Sequence, residues 1–104
     1  MNEALTKNYE KTLKEQVTVI HAAFGEEPRT VAFVEVPKNV VVDQKLETAF
    51  RLTNSVNHAW WENEGVTPMF PEQGCRSTSV GDMVLVGTEK YVCVSIGWKK
   101  LNES

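Results

Sequence analysis

A chain of 104 residues, 41% hydrophobic and 24% charged, has the composition of one small globular domain with room for a single modest core. Its net charge of −3 argues against a partner in double-stranded nucleic acid, which is held by phosphate neutralisation, and is too slight for a DNA mimic. No apolar run approaches the roughly 18–20 residues of a membrane span, and Met1-Asn2-Glu3-Ala4-Leu5-Thr6-Lys7 contains no signal-peptide core, so a cytoplasmic location with reduced Cys75 and Cys93 is expected.

Residues 1–15 are polar, with Leu5, Tyr9 and Leu13 spaced by four and with Glu3–Lys7 and Glu10–Lys14 in the favourable i, i+4 order. A short helical extension is predicted there. Val17-Thr18-Val19-Ile20-His21-Ala22-Ala23-Phe24 is rich in β-branched residues and reads as a strand. Gly25-Glu26-Glu27-Pro28-Arg29 reads as the turn that follows, because Gly frees φ and Pro lacks a ladder donor. The chain returns along Thr30–Val36, closed by Pro37; Ala32, Val34 and Val36 share the predicted core face, opposite Val31, Phe33 and Glu35.

Asp43 is a suitable N-cap for a helix over about 44–54. Leu46, Ala49, Phe50 and Thr53 then form one face, and Glu47 and Arg51 pair on the solvent side. Asn54-Ser55 ends the helix through side chains that compete for backbone hydrogen bonds. From residue 57 to 74 no period emerges. This long segment holds Trp60, Trp61, Glu62, Glu64, Pro68 and Pro71, and a patternless connection of that length is typically functional or mobile. The tryptophans either cap the core or form a contact surface. Charge is uneven as well: Asp43, Glu47, Glu62, Glu64 and Glu72 face only Lys45 and Arg51 over residues 43–73, whereas residues 74–104 are slightly basic.

The last hairpin is predicted as Met83–Val86, a turn at Gly87-Thr88-Glu89-Lys90, and Tyr91–Ile96 with Val92, Val94 and Ile96 buried. In order, the elements are β-β-α-loop-β-β. The fold class is therefore α+β: a small antiparallel sheet with one covering helix, plus the N-terminal extension.

Residues Arg76-Ser77-Thr78-Ser79-Val80-Gly81-Asp82-Met83-Val84, then Lys90–Val94 and Ile96-Gly97-Trp98-Lys99-Lys100-Leu101, resemble the YodL-like domain family, and the middle of the chain resembles it more loosely. The family pattern is a His/Arg-Ser-Leu/Met-Ser-Val-Gly/Ser-Asp run followed by a tyrosine-containing strand and an aromatic-Gly-Phe-Lys-Glu end. This chain departs from it at Thr78, Ile96, Trp98 and Lys100. The resemblance implies origin in a phage or other mobile element; it supplies no catalytic set to carry over.

Among candidate sites, Arg76, Ser77 and Ser79 around the Val-Gly-Asp turn are read either as an anion-binding turn or as architecture, with Asp82 accepting backbone hydrogen bonds. His21, His58, Cys75 and Cys93 lack the short spacings of a zinc site, so no metal or cofactor is expected. A nucleophilic site would need Cys75, His58 and Glu62 to meet through the long loop, and no flanking motif supports it. Trp60, Trp61, Phe70 and Trp98 with Arg51 and Arg76 form another constellation, since Trp and Arg are the residue types that dominate binding hot spots, and Trp98 with Lys99 marks the basic end of the last hairpin. The expectation is a non-enzymatic mobile-element accessory protein that binds a host protein or a second copy of itself. The alternative is a protein that sequesters a nucleotide or other small ligand through Arg76, Ser77, Ser79 and an aromatic wall.

Overall fold

A computed structural model describes residues 13–55, 58–70 and 74–101. The strands are β1 (Lys14–His21), β2 (Arg29–Pro37), β3 (Val66–Pro68), β4 (Met83–Val86), β5 (Glu89–Cys93) and β6 (Trp98–Lys100), with helix α1 (Val42–Leu52) between β2 and β3. They form one antiparallel sheet in the order β3-β2-β1-β4-β5-β6, and α1 packs on one face of it. The architecture is the predicted α+β arrangement, with two strands more than the sequence suggested. The predicted N-terminal helix falls mostly outside the described residues, but Lys14 and Glu15, assigned to it, open β1 instead.

The core lies between the sheet and α1. Val17 and Val19 of β1, Ala32, Val34 and Val36 of β2, Val84 of β4, and Leu46 and Ala49 of α1 are all fully buried. Val31 was expected on the outer face, yet it is buried beside Ala32. The cause is a bulge: Val19 pairs with Ala32 and Ile20 with Thr30, leaving Val31 as the extra residue.

Helix α1 begins two residues earlier than a cap at Asp43 allows. Val41 precedes its first turn without a side-chain cap, and Asp43 sits inside that turn as an acid favoured by the helix dipole. The earlier start places Val42, Leu46, Ala49 and Thr53 on one stripe against the core, so packing outweighs capping. The helix ends at Leu52, two residues before the expected end, where side chains take its last carbonyls: Thr53 Oγ1 donates to Ala49 O at 2.8 Å and Asn54 Nδ2 to Phe50 O at 2.6 Å.

Between 58 and 70 the structure has a short 3-10 turn at Trp60–Glu62 and then β3, which the sequence pattern did not reveal. Three residues are too few to show a period. Pro68, which has no N–H to give, is tolerated because β3 is an edge strand. The end of the chain differs too. The predicted strand Tyr91–Ile96 stops at Cys93, turns through Gly97 (φ 78°), where Val94 N donates to Gly97 O at 3.1 Å, and returns as β6. Tyr91 pairs with core-facing Val84, so Cys93 faces inward and Val92 outward, the reverse of the predicted burial, and Ile96 stands at the turn 90% exposed.

This placement separates core from surface. Leu46→Ala is expected to lower stability by about 2–5 kcal/mol through loss of buried contacts, whereas Ile96→Ser is expected to stay within about 0.5 kcal/mol. Urea unfolding of both variants measures the difference.

Candidate functional site

Asp82, just ahead of β4, is fully buried, and its carboxylate takes five hydrogen bonds. Oδ1 accepts from Ala22 N at 2.8 Å, Ala23 N at 2.9 Å and Arg76 Nη2 at 2.9 Å. Oδ2 accepts from Ser79 N and Arg76 Nη1, both at 2.7 Å. Its backbone carbonyl accepts from Cys93 N at 2.8 Å. One residue thus joins the exit of β1, the 76–79 segment, and the junction of β4 with β5. Gly81 lets these segments close up: its φ is 101°, and a Cβ there would lie 3.1 Å from that of Ala23.

Burial opposes ionisation of Asp82, but the two Arg76 bonds and three backbone N–H groups outweigh it and hold the carboxyl at about 2. Arg76 is raised above its ordinary range, chiefly by that same bond. Its Nε also donates to Glu26 at 3.1 Å, and its guanidinium lies 4.9 Å from the centroid of the Phe24 ring.

Behind this pair runs a second polar chain. Thr53 gives its only hydroxyl proton to Ala49 O, so the 2.8 Å contact with Thr78 must be donated by Thr78. Thr78 Oγ1 then accepts from His21 Nε2 at 3.0 Å, which leaves Nδ1 to accept from the Cys75 thiol at 3.6 Å. His21 is therefore neutral with its proton on Nε2. Burial lowers its pKa, and although Asp82 pulls the other way it stands 3.8 Å off. Burial also raises the Cys75 thiol against the pull of Arg29 and Arg76. Thiol and imidazole both resist the charge separation a nucleophilic cysteine requires, and the pair is a packed hydrogen bond.

The thiol's neighbour is thus His21, whereas the sequence suggested His58. His58 Nε2 instead meets Asn63 Oδ1 at 2.6 Å. The alternation Val17, Val19, His21 was the available signal, since it places His21 on the core face of β1. Among the described residues no three His, Cys, Asp or Glu side chains gather as a metal-ligand set.

The structure brings Arg76, Ser77 and Ser79 together, but turns them inward. Ser77 Oγ accepts from Ser55 N at 2.9 Å, and Ser79 Oγ donates to Ser77 O at 3.4 Å. Trp60 is fully buried, and its indole N–H is shared between Cys75 O and Arg76 O at 3.1 Å each. Trp61 is half-buried; Trp60, Trp61 and Phe70 meet edge to face with centroids 5.6 Å apart. The two tryptophans cap the core. Arg51 stands on the exposed side of α1, and Lys99 is exposed on the sheet face away from the helix. Trp98 packs edge to face on Phe50 at 6.1 Å and, with Glu47, Val80 and Val94, lines a groove of about 220 Å³.

Sequence reasoning missed three side chains at this end. Phe24 was read as strand, but it lies in the β1–β2 turn with φ 62° beside Gly25 at 73°, closed by Glu26 N donating to Ala23 O at 3.2 Å. Phe24, Val80 and Ile96 are 75%, 55% and 90% exposed, on the turns that adjoin Asp82 and the Trp98 groove. No family model matches the chain, and no curated protein or solved structure does either.

Removing the Asp82 carboxylate leaves three backbone N–H groups and part of Arg76 without an acceptor. Asp82→Ala is therefore expected to cost about 3–5 kcal/mol, measured by urea unfolding. Acid should act through the same cluster. His21 and Asp82 both have folded-state pKa values below their unfolded ones, so the unfolded state binds more protons as pH falls and stability declines. The His21 contribution begins to be lost below 6.5, and that of Asp82, about 2 kcal/mol, between 3.8 and about 2. Thermal unfolding from pH 8 to 2 should show both limbs, and His21→Gln should remove the upper one alone.

Proposed function

We propose that this chain is a non-enzymatic binding protein, an accessory protein of a phage or other mobile element, and that it engages a host protein through the end of the sheet bearing Phe24, Val80, Ile96 and Trp98. The observation that carries this reading is where exposed apolar area gathers. Of the five large hydrophobic residues well exposed among those described, three lie here: Phe24 and Val80 on segments held by the buried Asp82 carboxylate, and Ile96 on the neighbouring β5–β6 turn. Apolar side chains on a preorganised backbone lose little entropy on binding and bring a large desolvation gain. The Trp98–Phe50 groove beside them offers a slot for a partner's side chain. The family resemblance supports the mobile-element origin.

The nucleotide-sequestering alternative needs Arg76, Ser77 and Ser79 to face a ligand. In the structure Arg76 is committed to Asp82 and Glu26, and both hydroxyls to the chain's own backbone. A phosphate would have to displace a buried, bidentate carboxylate.

Affinity capture from a bacterial host lysate, comparing the wild type with Phe24→Ser/Ile96→Ser, tests the reading. Both side chains are mostly exposed, so the double variant should remain folded. The expected result is a defined partner retained by the wild type and reduced at least about tenfold by the variant, a loss of about 1.4 kcal/mol. An identical captured set for both proteins overturns it. So does a nucleotide that raises the melting temperature, since a ligand at 100 times its Kd contributes about 2.7 kcal/mol.

A further inference from the structure

The sheet has a second face. Strand pairing places Thr67, Phe33, Thr18, Leu85 and Lys90 in one cross-strand row from β3 to β5. Ile20, Met83, Val92 and Lys99 form the next row, from β1 to β6. Ile20, Phe33, Met83, Leu85 and Val92 are half-buried by their strand neighbours, and none belongs to the core or packs against it. Among the described residues no element lies over them, because α1 covers the opposite face. Five apolar side chains contiguous on four adjacent strands form a patch that single exposed residues do not.

We propose that this face pairs with the same face of a second copy of the chain, about a two-fold axis along the β1–β4 seam. Three features favour a copy over an unrelated partner. The seam is the middle of the strand order, with three strands on each side, so the patch is centred on the axis that would repeat it. Two-fold packing sets Thr18 over Leu85 of the copy and Ile20 over its Met83, and β2 over its β5. The rim is complementary under the same operation. Lys90 of the copy falls over the Phe33 row of β2, two residues along the strand from Glu35, so the long lysine side chain reaches the carboxylate of the facing copy.

Size sets the strength. Strands about 4.8 Å apart with a rise of about 3.3 Å per residue give the face a projected area of about 500 Å². Two such faces bury about 1,000 Å², the lower bound for a specific interface. The dimer is accordingly weak, with Kd on the order of 1–100 µM. This surface is separate from the Phe24–Ile96 end, so each proposal stands or fails by itself.

Sedimentation velocity on the full chain from about 1 µM to 1 mM reads the outcome, alongside Thr18→Lys and Leu85→Lys. Either substitution puts a charge at the seam, and the already polar Thr18 site keeps the test usable if Leu85→Lys unfolds. The expected result is a concentration-dependent monomer–dimer shift in the wild type. Thr18→Lys should weaken it at least about tenfold, with far-UV circular dichroism and melting temperature retained. A wild type that stays monomeric throughout overturns the proposal, whether the face is bare or covered by the chain's own first twelve residues. So does a dimer that Thr18→Lys leaves intact, which would place the contact elsewhere.

Discussion

The Asp82 carboxylate is the constraint on which this structure depends. A short sheet with one helix leaves its connecting turns with few contacts of their own, and three of them meet at one end of the molecule. Apolar burial cannot fix their geometry, because it is non-directional. A carboxylate with five donors can do so for two of them, the β1–β2 turn and the segment ahead of β4, since each bond specifies a distance and a direction. The backbone N–H groups of Ala22 and Ala23 find no ladder partner past the end of β1, and Asp82 supplies it. Arg76 makes the buried charge tolerable, and Glu26 and the Phe24 ring hold Arg76 in turn. The desolvation penalty is offset locally, and the return is positional order.

That arrangement explains why the most motif-like part of the sequence is architecture. Arg76, Ser77, Ser79 and Asp82 have the residue types of an anion site, and the local pattern alone does not tell a turn that binds a phosphate from one that binds its own carboxylate. The deciding contacts come from Ala22 and Ala23, about sixty positions away. Likewise the imidazole beside Cys75 is 54 positions distant in sequence.

Periodicity made the rest legible to an uneven degree. The face Leu46, Ala49, Phe50, Thr53 marked α1 because four positions at helical spacing are hard to produce by chance, β2 was legible through its period of two, and β1 through its β-branched residues. The register failed where a strand is short or irregular. One extra residue at Val31 turned two consecutive side chains inward. Three-residue β3 and β6 carry too little pattern to be seen at all; the β4–β5 register turns Cys93 inward, and the turn into β6 leaves Ile96 outside. Ile96, which the hydrophobicity pattern assigns to the core, stands on the exposed end of the sheet beside Phe24 and Val80.

Phe24 shows how the buried cluster and that surface are connected. A non-glycine residue at positive φ costs about 1–2 kcal/mol, and Gly, Asn or Asp would sit at this turn position with less strain. The chain keeps an aromatic residue there, and it can do so because Asp82 fixes the two preceding N–H groups and Arg76 lies against the ring. Little of that ring is buried, so the core gains almost nothing from it. Beyond its contact with Arg76, a mostly exposed ring on a strained backbone adds little to the fold. Ile96 repeats the logic at the β5–β6 turn, where Gly97 absorbs the unusual φ and the isoleucine is left outside. The two tips share one feature: a neighbour secures the local geometry and the apolar side chain is left exposed.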